Sequence, residues 1–211
     1  MNSLAQKNTR RGRPPKVNHD NHDTRAALIR SGVELLTEHG FFASGIDKIL
    51  KKIGVPKGSF YHYFSSKEDF GREVIENYAS YFAKKLDTHL LNVELDPIQR
   101  IGSFVEDAKA GIQKHHYKRG CLVGNLEQEV DVLPDGYRQL LTDIFIDWQH
   151  RIEVCLREAQ QQQLLSTNAN CALLAEFFWV GWEGAVSRAR LTQSAQPLEN
   201  FLNQYLAGLP R

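Results

Sequence analysis

Three sets of residues in this 211-residue chain have types and spacings that can do chemistry. In Pro56 to Phe64, Lys57 and Tyr61 form one i, i+4 row, and Gly58 and His62 form another. A cation, a phenol and a glycine that admits close backbone approach suit a groove of DNA better than a protein core. Arg10, Arg11 and Arg13 lie in Thr9-Arg10-Arg11-Gly12-Arg13-Pro14-Pro15-Lys16. Guanidinium groups on such an extended tract, like those of an AT-hook core, fit the narrow minor groove of A·T-rich DNA. Cys121 follows Lys118 and Arg119 at an expected helix start, a setting that favours thiolate and hence a sensor or nucleophile. The plainer alternative for Cys121 is a small buried hydrophobe.

Each set needs a scaffold. Phe60, Tyr63 and Phe64 recur at i, i+3, i+4, so the 56–64 stretch reads as a short helix clamped by one aromatic face. A helix that short is unstable unless something holds that face. Ile46, Ile49, Leu50 and Ile53 give Gly45 to Ile53 the pattern of an amphipathic helix, and Gly54-Val55-Pro56 is a tight connector. Two short helices around such a turn make a helix-turn-helix, whose second helix enters the major groove.

Residues 24 to 70 carry a resemblance. Ile46-Asp47-Lys48-Ile49-Leu50, Gly54 through Phe64 and Ser66-Lys67-Glu68 resemble the TetR family of transcriptional regulators. The resemblance implies that Lys57, Gly58, Ser59, Tyr61 and His62 meet DNA, and that Ser44 and Lys67 touch backbone phosphate. It also implies a homodimer and a helical ligand-binding domain.

Composition agrees with a polyanionic partner at one end. Residues 1 to 64 hold eleven Lys/Arg against five Asp/Glu, whereas residues 65 to 211 hold fifteen against twenty. No apolar run is long enough to span a membrane, and the N-terminus lacks the apolar core of a secretory signal. The three cysteines, 34 and 16 residues apart, do not form a disulfide framework, so a cytoplasmic location is expected.

The remaining pattern is helical throughout, and the expected fold class is all-α. A first helix is capped at Asp23 or Thr24 and stops at Gly40. Ser66 opens a helix with Asp69 at capping-box spacing, continuing to about Leu91. Asp96-Pro97-Ile98-Gln99 opens another, and a short segment follows from Cys121. Long helices are expected from Pro134 or Asp135 and from about Asn170, and a last one from Pro197. The expected division is a basic arm over 1–22, a three-helix DNA-binding domain over 23–68, and an effector-binding and dimerisation domain over 69–211.

Enzymatic signatures are missing: there is no Gly-rich phosphate loop, G-x-S-x-G, H-E-x-x-H or C-x-x-C. His115, His116 and Cys121 lack a fourth ligand and the spacing of a zinc site, so no metal and no cofactor is expected. Trp148, Trp179 and Trp182, with Glu183, Arg188 and Tyr117, suit an apolar pocket, ordinary core or dimer contacts equally. Gly120-Cys121-Leu122, Trp179 to Ala185 and Pro197-Leu198-Glu199-Asn200 are similar to TetR-type repressors that respond to acrylate-like or other small electrophilic compounds. A lysine that some of those repressors place in the penultimate helix is replaced here near Ser187. The expectation is therefore a homodimeric, ligand-responsive repressor of a palindromic operator. The alternatives are a sequence-tolerant architectural DNA-binding protein using the arginine arm and a small cysteine-dependent enzyme.

Overall fold

The computed structural model describes residues 21–211 apart from 42 and 44, with side chains from residue 24. Arg10, Arg11, Arg13 and Ser44 lie outside the described residues. Among those described there are nine helices and no strand.

The first three helices are α1 (Asn21–His39), α2 (Ile46–Ile53) and α3 (Lys57–Tyr63). Gly45 precedes α2, and Gly54 ends it in the left-handed conformation (φ 69°), a backbone state that glycine adopts without strain. Pro56 then opens α3. The aromatic face of α3 is buried: Phe60 and Phe64 pack edge-on against Phe70 at 5.2 and 4.9 Å. Leu28, Ile29, Leu36, Ile49 and Leu50 complete this core.

Phe70 belongs to α4 (Lys67–Leu90). Ser66 caps it, accepting from the Asp69 amide at 3.0 Å. The expected reciprocal bond is displaced by one residue, because the Asp69 carboxylate accepts from Ser65 rather than from Ser66. The N-terminal end of α4 is thus part of the first core, and its distal half packs in the second.

That second core is built by α5 (Pro97–Lys114), α6 (Leu122–Glu127), α7 (Tyr137–Gln161), α8 (Cys171–Thr192) and α9 (Gln196–Ala207). Asp96 and Gln99 form the full capping box of α5. Gly136, in the left-handed conformation, delays the start of α7 to Tyr137, two or three residues beyond the expected start. Phe82, Phe104, Trp148, Phe178, Trp179 and Trp182 form a continuous buried aromatic cluster. Arg100 is buried and grips Glu158 with two bonds, at 2.6 and 3.1 Å, and also donates to the Leu90 carbonyl at 3.3 Å. A paired, multiply hydrogen-bonded guanidinium fixes geometry more than it adds stability. It ties the C-terminal end of α4 to α5 and α7.

Candidate DNA-binding surface and effector cavity

With its aromatic face buried, α3 turns Lys57, Gly58, Tyr61 and His62 outward together, and Ser59 is half-buried beside them. Tyr61 packs one edge on Phe60 (ring centres 5.3 Å apart) yet remains 51 % exposed. Lys57 Nζ lies 3.7 Å from Asp47, a loose surface pair that an incoming phosphate can displace. Lys67 is more constrained. Its Nζ donates to the Phe41 carbonyl at 3.0 Å and lies 4.4 Å from the Phe41 ring centre, pinning α4 to the end of α1. The neighbouring α2 adds exposed Lys48 and Lys51, which the sequence reading passed over although their i, i+3 spacing marks a common basic face.

In the second core a cavity of about 290 Å³ lies between α1, α4, α5, the start of α6 and α8. Its wall is formed by Val33, Tyr78, Phe82, Ile112, Cys121 and Trp182. Lys85, His115, Arg119 and Glu34 stand among its polar lining. This volume takes one small organic molecule.

The thiol on that wall is not the one that local sequence suggests. Burial pushes the Cys121 thiol well above its usual range, and the negative charge of Glu183 pushes it further. The expected thiolate is therefore corrected to a protonated thiol. Arg119 is engaged elsewhere, donating to Glu38 at 2.8 Å, and Lys118 is exposed. Cys121 caps α6, its Sγ accepting from the Gly124 amide at 3.5 Å. Glu183 lies against Gly124, where any Cβ would overlap its carboxyl group. Burial raises the Glu183 carboxyl to about 8, and its Oε1 has no hydrogen-bond partner. Tyr78 sits beside the same thiol, its hydroxyl also held protonated by burial.

The other expected pocket residues divide. Trp182 lines this cavity, whereas Trp148 is fully buried in the aromatic cluster. Tyr117 is a correction: it lies in a separate shallow depression with Glu38, His39 and Arg190. The chain turns there through two left-handed residues, His116 and Tyr117 (φ 52° and 57°), which carries the ring away from Cys121. Trp179 and Glu183 border a wider hollow of about 620 Å³ between α6, α7 and α8. That side of α7 and α8 exposes Ile146, Phe177, Val180 and Leu191. Among the described residues, no group of three His, Cys, Asp or Glu is placed to hold a metal ion.

Comparison with known proteins accounts for both halves. Residues 28–74 match the model for bacterial regulatory proteins of the tetR family, and residues 97–205 match the tetracyclin repressor-like C-terminal domain. The chain belongs to the TetR family. It is 46 % identical over 203 residues to transcriptional regulator AcuR of Cereibacter sphaeroides, covering 96 % of this chain and 92 % of that one. It is 31 % identical to the HTH-type transcriptional repressor DhaR of a Mycobacterium species, covering 84 % and 88 %. The crystal structure of regulatory protein TetR from Rhodobacter sphaeroides superposes with a TM-score of 0.85 at 46 % identity, covering 87 % of this chain and 97 % of that one. This TetR-family chain is a ligand-responsive DNA-binding transcriptional repressor and not an enzyme. Regulators of the family bind operator DNA, are generally dimeric and answer to small-molecule effectors. No described helix is long and apolar enough to cross a membrane.

Proposed function

We propose that the chain represses transcription in the cytoplasm as a homodimer on a palindromic operator, and that a small carboxylic acid or its unsaturated, electrophilic relative releases it. In this reading residues 1–22 reach the minor groove, 23–68 dock α3 in the major groove, and 69–211 hold the effector and the second subunit. The exposed apolar side of α7 and α8 supports the pairing. Two copies would present two α3 helices to successive major-groove faces.

The observation that carries the effector assignment is the Cys121 cavity itself. Its apolar wall suits a short carbon chain and its volume limits ligand size, and the cations on its lining, Lys85 paired with Asp107 and Arg119 paired with Glu38, are ones for which a carboxylate would compete. Binding would favour a conformation in which the two α3 helices no longer match the operator spacing. Because the thiol is protonated and buried, reversible occupancy is favoured over covalent capture. The test is operator release by acrylate and by propionate, in wild type and in Cys121→Ser. Release of the wild type by both compounds, reversible on dilution, is expected. Release by acrylate alone, lost in Cys121→Ser, would establish covalent sensing instead. Release by neither would refute the effector assignment.

A further inference from the structure

Cys121 lines the 290 Å³ cavity, while Glu183, packed against Gly124 and hydrogen-bonded to the Cys121 thiol, borders the hollow on the other side. The two side chains form a partition between the two spaces, with the Gly124 amide donating to the sulfur. Glu183 Oε1 is buried without a partner, and the side-chain hydrogen bond that acts on this carboxyl group is the one to the Cys121 thiol. We infer that Glu183, acting through Cys121, sets whether the cavity offers its ligand a hydrogen-bond donor. Glu183 is then a positioning residue for effector recognition, and the inference rests on the carboxylate reading given above.

The two states differ by one proton. When Glu183 is neutral, its carboxyl donates to Sγ, which already accepts from the Gly124 amide and from the Tyr78 hydroxyl, and the thiol hydrogen is turned into the cavity. A carboxylate effector can accept it. When Glu183 is ionised, it accepts the thiol hydrogen, and the cavity presents sulfur lone pairs backed by a negative charge. The exchange falls near neutral pH because burial holds the Glu183 carboxyl at about 8. Other groups around it do not replace this titration. From α4, Tyr78 remains protonated, pushed far above its usual range by burial. From α6, Glu127 adds a negative charge that reinforces the shift of Glu183. From α8 itself, Arg188 borders the outer hollow, and α7 contributes only the uncharged Thr142, Phe145, Ile146 and Gln149 there. On the cavity side stand Lys85, Glu34, Arg119 and His115. His115 is held below its usual value by burial and by Arg119 and Lys114, so it stays neutral above pH 7.

The test is propionate binding to the full-length protein by calorimetry at pH 7, 8 and 9, without DNA. In wild type the dissociation constant is expected to rise about tenfold from pH 7 to pH 9, the change that linkage to one such proton gives. Glu183→Gln, which keeps a donor toward sulfur and cannot ionise, is expected to bind with near-constant affinity at the wild-type pH 7 level. Cys121→Ala, which removes the relay, is expected to bind more weakly and also without pH dependence, so the inference is tested even if Glu183→Gln folds poorly. A flat wild-type profile, or an unchanged slope in either variant, would overturn the role of Glu183 and leave carboxylate binding intact. No propionate binding at any pH, with acrylate also silent, would overturn the carboxylate reading and the inference with it.

Discussion

Asn125 Nδ2 donates to the Thr37 carbonyl at 2.7 Å, and Asn125 Oδ1 accepts from Arg190 Nη1 at 2.6 Å. One side chain on α6 thus joins the C-terminal turn of α1 to α8, one helical turn from the cavity residue Cys121. The same end of α1 also receives Glu129, which accepts from the Phe41 amide at 3.1 Å. Movement of α6 is therefore passed directly to the helix that leads into the DNA-binding unit. Asn125→Ala is expected to leave propionate affinity nearly unchanged while reducing the effect of propionate on operator binding. Losing these partly buried bonds should also cost about 1–2 kcal/mol of stability. Comparing effector affinity with and without operator measures the coupling, and full coupling in the variant would remove Asn125 from the path.

On the DNA side, Lys57→Ala and Tyr61→Ala are expected to weaken operator binding at least tenfold, a loss of about 1.4 kcal/mol or more per contact. Helicity and dimerisation should be preserved, since both side chains are exposed. If Lys57 meets only phosphate, its removal should lower the salt dependence of binding by about one counterion. Wild-type affinity in both variants would displace α3 from the groove.

Deletion of residues 1–18 is expected to lower affinity most on operators flanked by A·T-rich sequence. Arginine in a narrow minor groove gains from the enhanced negative potential there. Operators differing only in their flanks, titrated at one salt concentration, provide the comparison. An equal loss on G·C-rich flanks would point to general electrostatic attraction.

Thiol chemistry separates the three cysteines. Burial raises Cys121 and Cys171, and it pushes Cys155 up to about 12. Native-state alkylation at pH 7.5 is expected to be slow at all three, roughly a hundredfold below the denatured chain. Mass spectrometry of timed samples resolves the sites. Cys121 reacting at the rate of a free thiol would contradict the buried, protonated state described for it.

Much of this was readable in the residues themselves. The aromatic triplet of α3, the Gly54-Pro56 punctuation and the Asp96–Gln99 box act within a few positions of one another, so a linear pattern carries them. The environment of Cys121 does not. Its neighbours in sequence are cations, and they suggest thiolate, but Arg119 is turned to Glu38 on α1. The group that matters is Glu183, sixty-two positions away and delivered by the packing of α8. Tyr117 was misplaced for a related reason: two left-handed residues reverse the chain just before Cys121, and a periodic reading cannot see that reversal. The tryptophans were legible as buried aromatics, but which of them borders a cavity depends on how several helices meet.

The grip of Arg100 on the Leu90 carbonyl and on Glu158 has a geometric consequence at the opposite end of α4. It anchors the Leu90 end to α5 and α7, while the Ser66 end belongs to the DNA-binding core, so the Leu90 end would serve as the pivot of any swing of α4. Over its 24 residues, a swing of about 5° around that pivot carries the far end through an arc of about 3 Å. In a symmetric pair the two arcs open in opposite senses, so the separation between the α3 helices changes by up to about 6 Å. DNA repeats its groove every ~34 Å and stretches little, so a change of that size puts one half-site out of phase whenever the other is seated. For the homodimer proposed above, a very small angular change in the effector domain would then be enough to switch the operator from two-handed to one-handed binding.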